Sequence, residues 1–272
     1  MPIRSFLRGS PLLKLSVALF LLATPLSAAE FQLPPAGAQY DSQLGGAYAP
    51  PQGTRIISRD RAEPPAKGLY NICYVNAFQT QPQETAWWRQ HHPDLLLTNA
   101  DGSLVEDPGW PGEVLLDTSS AAKRAALLVI TGAWIDQCAR DGYQAIEADN
   151  LDTYSRSASA IALSDNLAYG SALAARAHAA GLAFGQKNGA ELETRGRDAG
   201  FDFAIVESCQ VYAECTNYTD VFGAMVLEIE YTDTAAANFA DACTARGQQI
   251  SVIHRDRNLT IPTDVAYFYQ TC

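Results

Sequence analysis

The stretch Tyr143-Gln144-Ala145-Ile146-Glu147-Ala148-Asp149-Asn150-Leu151-Asp152 decides how the chain is read. A short aromatic, aliphatic and small-residue run, 143–148, stops abruptly at an acid, an amide and a second acid. Ahead of it, over 121–140, Leu127, Leu128, Thr131, Trp134, Ile135 and Cys138 recur at three- and four-residue steps, behind the candidate N-caps Ser119 and Ser120 and before Gly142. That spacing predicts a helix with one buried face, leading into a strand with a polar end. The unit recurs. Further strand candidates are 54–58, 69–76, 182–186, 201–206, 224–229 and 249–254, with a fainter eighth at 38–44. Helices are predicted over 165–180 and 235–246, stopping at Gly181 and Gly247, each placed to supply a left-handed cap. Strands alternating with helices imply parallel pairing, because parallel neighbours need a crossover between them. Eight such units predict an α/β chain closed as a single (β/α)8 TIM barrel. The open doubly wound sheet is the rival, but neither its glycine-rich dinucleotide turn nor a phosphate loop is present.

Arg4, Arg8 and Lys14 precede an apolar run, 15–22, and then Ser27-Ala28-Ala29. This is the order of a signal peptide, and the run is much shorter than the roughly 20 residues of a membrane-spanning helix. We expect residues 1–29 to be removed, leaving 30–272 as one domain, secreted or periplasmic, with no membrane span. Losing three basic residues takes the formal charge from −11 to about −14. Nucleic acid is a poor partner for such a surface; a neutral or cationic substrate is compatible with it. Six cysteines remain, and in an exported chain they are expected to pair. The pairing expected is Cys209 with Cys215, Cys243 with Cys272 and Cys73 with Cys138. No C-x-x-C pair occurs, and His91, His92, His178 and His254 have no zinc spacing, so no metal is expected.

In a parallel barrel the active site gathers where the strands end. Those ends carry Arg59-Asp60, Asn76, Asp149-Asn150-Leu151-Asp152, Lys187-Asn188, Glu207 and Glu230-Tyr231. A single Asp or Asn there usually caps the next helix. Glu207 and Glu230 are poor caps, however, and Lys187 is none, so a polar ring around a cleft is the better reading. Two carboxylates across a barrel mouth suit glycosidic bond cleavage, where one protonates the leaving oxygen and the other stabilises or attacks the sugar carbon, without metal or organic cofactor. No Gly-x-Ser-x-Gly elbow is present, and Glu147, Asp149 and Asp152 lack the spacing and glycine of a calcium loop.

Segments 71–76, 142–154, 181–188 and 201–209, followed by Glu214-Cys215, occur in an order that resembles glycoside hydrolase family 114, the endo-α-1,4-polygalactosaminidase type, over nearly all of residues 30–272. The resemblance implies a barrel that cuts α-1,4-linked galactosamine or N-acetylgalactosamine polysaccharide internally. It implies Asp149, after the fourth strand, as nucleophile and Glu207, after the sixth, as acid/base of a retaining mechanism. A cationic amino-sugar polymer would then be met by Asp60, Asp152 and Glu230, with Tyr40, Tyr74 and Tyr231 as stacking surfaces. Asn76, Lys187 and Asn188 are further substrate-binding candidates, Lys187 also helping to keep Asp149 ionised. Hydrolysis of another extracellular glycan, or polysaccharide binding without cleavage, stays open at this level.

Overall fold

The computed structural model describes residues 1–3 and 30–272, so the expected leader lies, beyond its first three residues, outside the described residues. All eight expected strands form: β1 Tyr40–Gln43, β2 Ile56–Asp60, β3 Tyr70–Asn76, β4 Ala145–Asp149, β5 Ala183–Lys187, β6 Phe203–Glu207, β7 Val226–Tyr231 and β8 Ser251–Arg255. They pair in parallel in chain order, and a short unforeseen strand, β9 (Tyr269–Thr271), adds antiparallel to β8. The helices are α1 Thr85–His91, α2 Ala121–Asp141, α3 Leu163–Ala179, α4 Thr194–Asp198, α5 Cys209–Tyr212, α6 Cys215–Phe222 and α7 Ala236–Arg246. The result is a nearly closed barrel.

The expected alternation fails at two crossovers, β1 to β2 and β2 to β3, which carry no helix. Those connections hold Pro50, Pro51, Pro64 and Pro65, which cannot continue a helical hydrogen-bond ladder, and Gly53 and Gly68, which disfavour the helix. Between β8 and β1 the sheet has no ladder either, and one buried side chain spans the seam. Arg255 pairs with Asp41 at 2.7 Å, and both are fully buried. It also donates to the carbonyls of Ser42, Phe268 and Thr260, the last two at 2.9 and 3.0 Å.

Strand alternation sorts the side chains into two cores. Ala145, Phe203, Ile205, Leu227 and Ile229 point into the barrel, while Ile146, Ala148, Phe184, Ala204 and Val226 meet Leu127, Ile135, Tyr169 and Leu173 from the helices. Being buried on both faces is why these strands read as near-continuous apolar runs. On β4 the inward series Ala145, Glu147, Asp149 turns polar toward the C-terminal end, so the barrel is apolar at its base and charged at its mouth. Gly185 leaves room for the Phe203 ring, which a Cβ there would meet at 2.8 Å.

α2 is capped as expected: the Ser120 hydroxyl accepts from the Lys123 amide, and Gly142 takes a left-handed φ of 94°. Gly181 is also left-handed, but Gly247 is not, with φ −58°. Its need is steric instead, because a Cβ at Gly247 would lie 2.9 Å from Cys272 Sγ. The three disulfides are those expected, Cys73–Cys138, Cys209–Cys215 and Cys243–Cys272.

Two residues expected at the substrate are placed elsewhere. Tyr40 points inward but low in the barrel, fully buried in the interior core with Ile56 and Ile72, so it offers no stacking surface. Glu230 follows the alternation outward, because Tyr231 beside it faces in. Its Oε1 accepts from the Gln210 amide at 2.9 Å, its Oε2 has no partner, and neighbouring Glu228 takes the Arg246 ion pair. Burial first, and then the Glu228 carboxylate, pushes Glu230 up to about 7.

A carboxyl raised in the folded state favours folding below its ordinary pKa, and that contribution is lost as pH rises through about 7. Glu230→Gln should therefore raise the melting temperature at pH 8 by a few degrees and flatten its decline between pH 5 and 8; an unchanged pH dependence would show that Glu230 does not titrate in that window. The Cys73–Cys138 bridge closes 65 residues and Cys209–Cys215 only 6. Replacing each pair by alanine should cost about 4 and about 2 kcal/mol respectively in denaturant melts, and a reversed order would mean that local strain outweighs loop closure.

Candidate active site

The mouth of the barrel is a cavity of about 590 Å³, within the range of roughly 300–1,000 Å³ common for ligand sites. Asp60, Tyr74, Asp149, Asp152, Lys187, Asn188, Glu207 and Tyr231 line it. These expected site residues are brought together by six strands, β2 to β7, or the turns that follow them. Tyr40 and Glu230 are not among them, for the reasons above, and neither is Asn76. Asn76 stands behind the wall: its amide nitrogen donates to Glu113 at 3.0 Å and its oxygen accepts from Asn150 at 2.8 Å, so it holds lining residues rather than the cavity itself.

At the centre is Lys187, 4% exposed, whose ammonium meets Glu147 at 3.2 Å, Asp149 at 3.1 Å and Glu207 at 3.5 Å. Glu147 lies beneath, bonded to the Ser58 hydroxyl. Burial would lower the Lys187 pKa, but Asp149, Glu207 and Glu147 together raise it well above the ordinary lysine value, so the side chain is a fixed cation.

Asp149 is held by three donors. Tyr74 donates its hydroxyl to Oδ2 at 2.7 Å, and the Asn150 amide and Lys187 bond Oδ1 at 2.8 and 3.1 Å. Burial pushes this carboxyl up, but Lys187, the Tyr74 hydroxyl and the Asn150 amide outweigh it and hold Asp149 below the usual range. Glu207 accepts from Tyr231 at Oε1 and from Asn188 at Oε2, the latter at 2.9 Å. Asn188 also accepts from the Glu207 amide at 2.9 Å, fixing both ends of that residue. Glu207 is the more open of the two acids, 27% against 19% exposed.

One ammonium reaching both carboxylates sets a ceiling on their separation. The two bonded oxygens can be no farther apart than the 3.1 and 3.5 Å contacts laid end to end. That ceiling applies to those two oxygens and is compatible with the retaining spacing of about 5–5.5 Å between carboxyl groups.

Much of the remaining lining was not anticipated from the residue pattern: Asp107, Trp110 and Glu113 from the long excursion between β3 and α2, Arg156 after β4, and Arg257 after β8. The excursion folds back on itself through antiparallel bridges such as Glu106 with Val114 and Gln79 with Leu115. Arg156 ties it down, pairing with Asp107 at 2.6 Å and Asp152 at 2.8 Å. Arg257 lies 3.8 Å over the Tyr231 ring and pairs with Asp233 at 2.8 Å. The turn-forming run Asp107-Pro108-Gly109-Trp110-Pro111-Gly112 is the one signal that could have marked the excursion.

The fold is shared with solved glycoside hydrolases. Aspergillus fumigatus Ega3, described in complex with galactosamine, superposes with a TM-score of 0.70 at 22% identity, covering 90% of this chain and 100% of that one. The glycoside hydrolase domain of PelA from Pseudomonas aeruginosa gives a TM-score of 0.54 at 16% identity, covering 82% of this chain and 96% of that one. No curated protein matches by sequence. The family match, by contrast, runs over residues 22–272, through the barrel strands and the cavity loops alike, and it establishes that the chain belongs to the glycoside-hydrolase family GH114.

Proposed function

We propose that this glycoside hydrolase is secreted and cleaves α-1,4-linked galactosamine or N-acetylgalactosamine polysaccharide internally, with retention, using Asp149 as nucleophile and Glu207 as acid/base. The observation that carries the reading is the pair of carboxylates, from neighbouring parts of one barrel mouth, that share the Lys187 ammonium. In the first step the Asp149 carboxylate attacks the anomeric carbon while Glu207 passes its proton to the departing oxygen. In the second, Glu207 takes a proton from water, whose oxygen attacks the same carbon and releases Asp149.

The assignment of roles follows the donors. Asp149 has the shorter contact to Lys187 and a backbone N–H besides, which suits the group that must stay ionised. Glu207 has the longer contact and the greater exposure, and its Tyr231 hydroxyl partner can turn from donor to acceptor when Glu207 carries a proton.

Charge supports an amino-sugar substrate. Asp60, Asp107, Glu113, Asp149, Asp152 and Glu207 line the cavity against Arg156, Lys187 and Arg257. Burial pushes the Glu113 carboxyl up, yet acids outnumber bases even when it is neutral. Ega3, of the same fold, is described with galactosamine bound. Three disulfides and the residue order of 1–29 support export.

Glu207→Gln and Asp149→Asn should each fold normally and lower kcat on partly deacetylated α-1,4-galactosamine polymer by roughly 10²–10⁴-fold, read by mass spectrometry of the oligomers released. Wild-type-like turnover in either variant would remove that residue from the reaction. The first product detected by NMR should carry the α anomer; a β product would reverse the stereochemical assignment. Because Lys187 depresses Asp149, the acidic limb of the kcat/KM profile should lie at low pH in the wild type and move to higher pH in any Lys187→Met enzyme that still folds by circular dichroism. An unmoved limb would show that the limb does not report Asp149.

A further inference from the structure

We infer that Trp110 is the platform on which the polymer chain, away from the bond being cut, is held, so that this residue sets the enzyme's preference for long over short substrates. The inference rests on the reading of the cavity as a polysaccharide site and adds a residue for which that reading has no role. Trp110 is a large apolar side chain left 49% exposed, and it lines the cavity that holds the carboxylates. An indole kept partly in water at the rim of a polar cavity gains little from burial in the empty enzyme. It has one asset, a face whose negative quadrupole attracts C–H edges and ammonium groups, the two features an amino sugar presents.

The segment beneath it is built to hold it still. The Trp110 amide donates to the Asp107 carbonyl at 3.2 Å, and the Glu113 amide to the Trp110 carbonyl at 3.1 Å. The Asp107 carboxylate caps the Gly109 amide at 2.7 Å and pairs with Arg156 at 2.6 Å. Arg156 in turn bonds Asn150, the residue after Asp149, at 2.7 Å. The Trp110 backbone is thus tied, through the side chains of Asp107 and Arg156, to the strand that carries Asp149. Asp107 and Glu113 share the cavity lining with it, so the ring stands in a wall that also carries carboxyl groups.

Trp110→Ala should raise KM for the polymer by about tenfold with kcat reduced less than twofold, the loss in kcat/KM shrinking as defined oligomers are shortened; Trp110→Phe should recover most of it. In a Glu207→Gln background, which binds without turnover, added polymer should shift the tryptophan fluorescence, and Trp110→Phe should abolish the shift although Trp87, Trp88 and Trp134 remain. Equal losses on long and short substrates, a fall in kcat at unchanged KM, or no Trp110-dependent shift would overturn the inference. Polymer binding with the shift intact but no cleavage by the wild type would instead sink the hydrolytic reading and leave the platform standing.

Discussion

The site is organised by one buried cation. Three carboxylates converge on the Lys187 ammonium, and without it their mutual repulsion in a desolvated space would force protonation or separation. Lysine suits the position because its ammonium is a compact point charge that three acids can approach from different sides, where a planar guanidinium would favour a two-pronged contact with one. Glu147 beneath lets the cation be buried and leaves its upper side for the two acids at the cavity. Burial, more than any charge, pushes Glu147 itself up, against the pull of Lys187 and the Ser58 bond. The arrangement requires the inward positions of β4 and β5 to be neighbours at the same height, which the parallel register supplies, with Ala148 opposite Gln186.

The strand ends carry a second constraint. Asn150, Asn188 and Ser208, each directly after Asp149, Lys187 and Glu207, all have left-handed backbone, with φ of 66°, 51° and 57°. Such conformations cost about a kcal/mol or more in a non-glycine residue and persist only where the surroundings enforce them. Here they end three adjacent strands and turn the chain away, so that the side chains just before the turn end in the cavity. Asparagine tolerates the region best, and at Asn188 the side chain is used as well, clamping the amide and the carboxylate of Glu207.

The barrel was legible in the residue pattern because parallel strands buried on both faces leave unbroken apolar runs, and the two acids proposed for the reaction stood out because those runs end in them. The side on which each end residue points was harder to read. Glu230 and Tyr231 are adjacent and both polar, and only the inward placement of Leu227 and Ile229 in the folded sheet decides that Tyr231 enters the cavity. Tyr40 lies at the start of its strand, in the apolar base, where an aromatic serves packing. Asp107, Trp110 and Glu113 reach the site on an excursion with no periodic signal, held by contacts such as Arg156 to Gln79 that span 77 residues. Separations of that kind have no local signature. The missing helices before β3 were, in contrast, foreshadowed by the prolines of those connections.

The cations of the cavity are already engaged. Arg156 is taken by Asp107 and Asp152, Arg257 by Asp233, and Lys187 by its three acids. None presents a free positive charge to an anionic sugar, whereas the acids leave a negative excess that no residue of the lining offsets. An uncompensated field of one sign in a partly desolvated cleft concentrates ligands of the opposite sign and raises the cost of the empty state. A polymer bearing ammonium groups relieves that cost as it binds, and a neutral one does not. Selectivity for a cationic glycan over its neutral counterpart would therefore arise before any sugar hydroxyl is recognised, from the same surplus of carboxylates that Lys187 only partly balances.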